Sequence, residues 1–271
     1  MLAGSPRGRR LARRAAATAL LGVCVLASGC AASRHRAGPS APPATTRGGV
    51  DWTKLHANSN KGVDNNKGAD APVRTTVAQA TVRRVGVFAV PGAAAPQQTL
   101  AHPQPSGAPL VFLVQEQRNG WLRVLLPVRP NGSSGWIRAA EMRLSYHDFR
   151  IVVRLGAHTI TVYRGTQVID REPVGIGRKN TPTPGGLYYI KELLRPPNPN
   201  GVYGAYTYVL SGFSNVLSSF NGGDGVIGIH GTNDPSGLGK DVSHGCIRMS
   251  NAGITKLARV LPLGVPVEIV P

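Results

Sequence analysis

Arg150-Ile151-Val152-Val153-Arg154-Leu155, a Gly156-Ala157-His158 turn and Thr159-Ile160-Thr161-Val162-Tyr163 alternate apolar with polar side chains and are rich in β-branched residues. A period of two puts alternate side chains on opposite faces of a pleated strand, so the stretch predicts a β-hairpin with one buried face. The pattern continues outward. Val168-Ile169 extends the hairpin, Tyr188 and Tyr189 begin a further strand, residues 226–229 lead up to His230, and residues 265–270 close the sheet. With 34 Gly, 22 Pro and only 16% charged residues the chain is unsuited to long helices. One short helix is expected at 251–260, with Ser250 or Asn251 as its N-cap. The expected fold class is all-β.

Upstream, residues 71–146 read as a second, smaller β domain. Leu110-Val111-Phe112-Leu113-Val114 is a buried-strand run, and Arg118-Asn119-Gly120 and Pro130-Asn131-Gly132 are turn signals on either side of Trp121-Leu122-Arg123-Val124-Leu125-Leu126. Trp121 and Trp136 are expected in its core rather than on a binding face. Residues 31–70 are rich in Ala, Pro, Ser, Thr, Gly and Asn and poor in large apolar side chains, the composition of a tether with a reach on the order of 35 Å. Residues 1–30 carry Arg7, Arg9, Arg10, Arg13 and Arg14 ahead of an apolar run at 15–27, too short to span a bilayer comfortably, and read as an export signal.

The formal charge of +18 suggests nucleic acid until it is divided: +8 over residues 1–50, +6 over 51–150 and +4 over 151–271. The excess is densest in the segment expected to be removed or disordered. No basic stripe with interleaved aromatics appears, so nucleic acid is not the expected partner, and an anionic wall or membrane surface is.

Chemistry concentrates in Ser243-His244-Gly245-Cys246-Ile247-Arg248-Met249 and, sixteen positions before the cysteine, Ile229-His230-Gly231-Thr232. A cysteine attacks as its thiolate, which needs a nearby base or cation, and His230 and Arg248 are candidates for both. Flanking glycines let a substrate carbonyl approach main-chain N–H groups able to hold an oxyanion. A buried inert thiol is one alternative and a zinc ligand another, but the H-G-C spacing matches no zinc pattern.

The two stretches, with Val174-Gly175-Ile176-Gly177, Thr181-Pro182-Thr183-Pro184-Gly185-Gly186, Tyr203-Gly204 and Leu263-Gly264-Val265-Pro266-Val267 in order, resemble the L,D-transpeptidase catalytic domain of bacterial cell-wall enzymes over residues 147–271. The resemblance implies a β-sandwich with one short helix after the catalytic cysteine, Cys246 as nucleophile and His230 as base. It also implies an oxyanion site shaped by Gly245, His244, Ser243 and the amide of Cys246, and a backbone carbonyl, Gly231 or Ser243, that orients the base. Arg248, Tyr203 and Thr232 are the expected substrate contacts, and residues 195–225 the expected lid. The implied partners are peptidoglycan stem peptides, donor and acceptor, with no cofactor and no metal. The same nucleophile would serve an L,D-carboxypeptidase or attach a protein to the wall; a non-catalytic wall-binding lipoprotein is the remaining alternative. The Gly-Trp-Leu-Arg-Val and Gly-Trp-Ile-Arg pair at 120–124 and 135–138 resembles bacterial Src-homology-3-like barrels. Leu26-Ala27-Ser28-Gly29-Cys30 resembles a lipobox, which implies lipidation of Cys30 and a membrane anchor. His158 has no foreseeable partner, and a helix starting at residue 251 is expected to stabilise the Cys246 thiolate through its dipole.

Overall fold

The structure, a computed structural model, describes residues 74–220 and 223–271. The expected export signal, the tether and the lipidation site at Cys30 lie outside the described residues. Seven strands come first: β1 (Thr75–Ala80), β2 (Arg84–Val87), β3 (Gln98–Ala101), β4 (Val111–Arg118), β5 (Trp121–Leu125), β6 (Ser134–Arg138) and β7 (Met142–His147). Ten more follow: β8 (Phe149–Arg154), β9 (Thr159–Arg164), β10 (Gln167–Pro173), β11 (Ile176–Gly177), β12 (Gly186–Leu194), β13 (Thr207–Phe213), β14 (Val226–His230), β15 (Asp241–Ser243), β16 (Ile247–Arg248) and β17 (Pro266–Val270). The one α-helix among the described residues, α1 (Asn251–Ala258), lies between β16 and β17. The protein is mostly β, as expected.

The first group forms an antiparallel sheet in the order β6-β5-β4-β1-β7, with the β2-β3 hairpin joined to it where Phe88 and Trp136 exchange both backbone hydrogen bonds. Phe112, Leu122, Val124 and Ile137 fill its core, Trp136 is buried and Trp121 stands edge-on to Phe88 at 5.1 Å. Both tryptophans therefore pack rather than project.

The second group forms a mixed sheet in the order β10-β9-β8-β17-β12-β13-β14-β16. The β8-β9 hairpin has the register that alternation requires: Ile151 faces Val162 and Val153 faces Ile160, all four fully buried. Strand β12 belongs to both halves of the sheet. Gly186 to Tyr189 pair with β17 and Ile190 to Leu194 with β13, across an irregularity between Ile190 and Glu192 where the sheet bends. Ile254 and Leu257 of α1 pack into the resulting core. Ser250 is the N-cap, its Oγ accepting the Gly253 N–H at 2.9 Å.

Strand β13 corrects one expectation. Residues 195–225 are not a continuous loop, because Tyr208 and Leu210 alternate inward and make a central strand; among the described residues, loops at 195–206 and at 214–220 and 223–225 flank it.

The two sheets share a buried contact. Tyr189 of β12 packs among Val77, Val111, Leu113 and Leu125, and its hydroxyl donates to the Val111 carbonyl at 3.0 Å. Truncating a buried aromatic removes both transfer energy and packing, so Tyr189→Ala is expected to lower unfolding free energy by about 3–5 kcal/mol, and Tyr189→Phe, which leaves one carbonyl unpaired, by about 1 kcal/mol. Urea titration of both variants checks this; equal midpoints would show that the ring is not part of a shared core.

Candidate active site

Strand β14 delivers His230 and its parallel neighbour β16 places the cysteine loop beside it, with Ile229 opposite Ile247 and His230 opposite Arg248. In that register Cys246 stands level with Gly228. The Gly228 N–H points to the Cys246 thiol, while the absence of a side chain at Gly228 serves the neighbouring strand, where a Cβ would press on the Tyr208 carbonyl. Within the loop, Ser243 Oγ donates to the Cys246 carbonyl at 2.6 Å and accepts the Gly245 N–H at 3.0 Å, while Gly245 turns the chain at φ +121°. An L side chain is strained at that φ, which is why glycine precedes the cysteine. The Gly245 N–H is thus engaged with Ser243.

His230 is buried, and its Nδ1 lies 2.6 Å from the Gly231 carbonyl. A carbonyl only accepts, so Nδ1 carries the hydrogen and Nε2 presents its lone pair. Of the two carbonyls expected to orient the imidazole, Gly231 makes this bond; the Ser243 carbonyl instead accepts the Arg178 N–H and Thr181 Oγ. Gly231 itself can be nothing larger, since a Cβ there would collide with Asn251 Oδ1 and crowd Gly204. The Tyr203-Gly204 segment presses on this corner, and the Tyr203 ring stands edge-on to the imidazole at 5.1 Å.

Both members of the pair are neutral at rest. Burial, with the Arg248 charge adding to it and the Gly231 carbonyl opposing, lowers His230 to about 4. Burial pushes the Cys246 thiol up, while the Gly228 N–H and the Arg248 guanidinium pull against it. The arrangement is a thiol awaiting a base rather than a standing thiolate. The positive end of α1 faces Glu172, since Ser250 Oγ donates to Glu172 Oε2 at 2.9 Å and this carboxylate abuts Gly253.

Cys246 and His230 line an open cleft of about 210 Å³, together with Tyr203, Ser243, His244 and Arg248 and a wall made of Ser214, Leu217, Phe220 and Gly225. A second lobe of about 210 Å³ shares Tyr203, Phe220, residues 225–227, His230 and Cys246 with the first and runs toward Thr207 and Val209. His244 is exposed and lies against Phe220 at 5.3 Å, on the cleft side of the loop. Thr232, by contrast, is not a cleft residue. Its hydroxyl turns inward, accepting the Asp234 N–H at 3.1 Å. His158 also differs from expectation, since its Nε2 lies 2.8 Å from Asp241 Oδ1 at the start of β15. Among the described residues no three His, Cys, Asp or Glu side chains converge as a metal site requires, and no helix is long and apolar enough to cross a membrane.

His230 and His147 are both held near 4 by burial, the latter against the raising influence of Asp148 and the Gly264 carbonyl. In the unfolded chain each binds a proton near 6.5, so between about 6.5 and 4 the unfolded state takes up protons that the folded state refuses. Stability is therefore expected to be intact above pH 6.5 and to fall as pH drops toward 4, at up to about 1.4 kcal/mol per pH unit for each histidine. Tm recorded from pH 7 to pH 4 checks this; a flat profile would contradict the buried neutral state.

The L,D-transpeptidase catalytic domain family (YkuD) matches residues 148–269. The chain is 39% identical over 123 residues to the L,D-transpeptidase-family protein YkuD of Bacillus licheniformis, a match covering 45% of this chain and 66% of that one. It is 31% identical over 133 residues to YqjB of Bacillus subtilis, also of this family, covering 45% of this chain and 71% of the relative. A solved L,D-transpeptidase of Enterococcus faecium has 21% identity and a TM-score of 0.36 over 45% of this chain and 50% of its own. The match thus spans just under two thirds of the Bacillus licheniformis relative's length. With the cysteine loop, the histidine strand and the family match all falling in the same residues, the chain belongs to the L,D-transpeptidase catalytic domain family.

Proposed function

We propose that residues 147–271 are an extracytoplasmic peptidoglycan L,D-transpeptidase working through a Cys246 thioester. The observation that carries this reading is that Cys246 and His230 open into one cleft, with His230 Nδ1 held by Gly231 so that Nε2 keeps its lone pair. Cys246 Sγ attacks the carbonyl of the diamino acid at position three of a stem tetrapeptide while His230 Nε2 takes the thiol proton. The oxyanion is met by the Cys246 amide. Collapse of the tetrahedral intermediate breaks the bond to the terminal D-alanine, whose amine leaves with the proton from His230. An amine of a neighbouring stem then attacks the thioester, gives its proton to His230 and frees the thiol. Arg248 supplies positive potential where stem carboxylates enter.

Two lobes meeting at the thiol favour an amine acceptor over water, since one lobe can hold the donor stem and the other the acceptor. The remaining parts fit the same reading: an export signal at 1–30, a lipid anchor at Cys30, a tether at 31–70 long enough to reach the wall, and a Src-homology-3-like domain at 71–146.

Incubating the protein with disaccharide-tetrapeptide and analysing the products by mass spectrometry tests the acceptor. The expected result is D-alanine release with a dimer joined directly between two diamino residues. Tripeptide alone would make it a carboxypeptidase, adducts on a protein lysine a wall-attachment enzyme, and no D-alanine release from folded protein would refute the reading.

A further inference from the structure

The outer wall of the cleft is the segment 214–225, whose described residues, 214–220 and 223–225, form no strand or helix. Its ends are tied by the Ser214 N–H donating to the Gly225 carbonyl at 2.8 Å, and Ser214 Oγ accepts the N–H groups of Val216 and Leu217. Compact loops of this kind are shaped by side chains packed against them. Here a decisive side chain comes from the other sheet. Arg129, in the connection from β5 to β6, donates from Nη1 to the Ser214 carbonyl at 2.8 Å and from Nη2 to the carbonyls of Leu217 at 3.0 Å and Asp224 at 2.9 Å. Its guanidinium lies 4.8 Å over the Phe213 ring. Two residues on, the Asn131 side chain bonds both backbone groups of Phe213, donating to its carbonyl at 2.7 Å and accepting its N–H at 2.9 Å, and reaches Asn215 Oδ1 at 3.1 Å.

One guanidinium therefore holds both ends of the loop and one point within it, and three of the residues so tied or tethered, Ser214, Leu217 and Gly225, line the cleft beside Cys246. We propose that Arg129, assisted by Asn131, is a positioning residue that sets this wall for the acyl donor, so that the N-terminal sheet is a working part of the catalytic site. This rests on the acyl-transfer reading above. The planar fork matters, because an ammonium group on a flexible stem cannot reach three separated carbonyls in fixed directions. Neither residue touches the reacting atoms, so their loss acts on how the donor is held and leaves the thiol's own surroundings, Gly228 and Arg248, as they are.

The test uses the full exported chain with Arg129→Ala, Arg129→Lys and Asn131→Ala, each followed by thioester formation from a stem tetrapeptide, by alkylation of Cys246 with iodoacetamide, and by amide exchange over 214–225. Arg129→Ala is expected to lower kcat/KM for thioester formation about tenfold, chiefly through KM, with alkylation changed less than twofold and exchange in the loop accelerated. Arg129→Lys does not restore KM. Wild-type KM and loop exchange in Arg129→Ala overturn the proposal, as does full rescue by lysine. If Arg129→Ala fails to fold, Arg129→Lys and Asn131→Ala decide by the same readouts. If the wild-type protein itself forms no thioester, the acyl-transfer reading fails and loop exchange alone decides whether Arg129 is the clamp.

Discussion

Cys246→Ala is expected to abolish thioester formation altogether, with the fold unchanged. Cys246 is the one free cysteine among the described residues, so no second thiol there can take over. The residue lies in a loop whose shape is set by Ser243 Oγ and by the turn at Gly245, neither of which uses the thiol. Removing sulfur from a half-buried position at the cleft floor therefore deletes the proposed nucleophile and little else. Cys246→Ser sharpens the point, because its oxygen fits the same space but, with the proton held far more tightly than on sulfur, acylation is expected to fall by several orders of magnitude. Intact-mass analysis after incubation with a stem tetrapeptide checks both; a covalent acyl adduct in Cys246→Ala would place the nucleophile elsewhere.

His230→Ala has the second largest expected effect, a fall in acylation of about a hundredfold or more, the usual consequence of losing a general base. The argument depends on the resting protonation of the pair. Had the cysteine been a standing thiolate, the imidazole could be lost with smaller consequence. Burial instead raises the thiol and holds His230 near 4, so at neutral pH attack requires proton transfer to Nε2 in the same step. The pH dependence follows with a definite sign. Wild-type kcat/KM should fall below about pH 4 to 5, where His230 becomes protonated, and stay level between pH 5 and 8. In His230→Ala the residual rate should climb steadily with pH, because only thiolate formed by hydroxide remains to react. A His230→Ala rate near wild type, or a wild-type acid limb near 6.5, would contradict the assigned base.

What could be read in the chain beforehand divides along physical lines. The β8-β9 hairpin, the short helix capped by Ser250 and the cysteine loop are local, decided by alternation, capping chemistry and glycine placement within a few residues. Gly231 was legible as one of two orienting carbonyls, but choosing it over Ser243 needed the fold, since the Ser243 carbonyl is occupied by Arg178 and Thr181. Strand β13 was hidden because the Pro, Asn and Gly before Tyr208, Val209 and Leu210 and the Ser, Gly and Asn after them look like loop, and only pairing with β12 and β14 overrides that composition. Thr232, a substrate contact by the family resemblance, bonds within its own turn in the structure. The partnership of His158 with Asp241 and the hold of Arg129 on 214–225 join residues more than eighty positions apart. No periodicity carries such information.

Intact-mass spectrometry of the soluble protein after incubation with a carbapenem, a drug class that acylates the cysteine of this family, tests the central claim most directly. The account predicts a single adduct, equal in mass to the opened lactam, that is absent from Cys246→Ala and formed at least about a hundredfold more slowly by His230→Ala. Folded wild-type protein that gains no adduct, or an adduct that survives in Cys246→Ala, would contradict it.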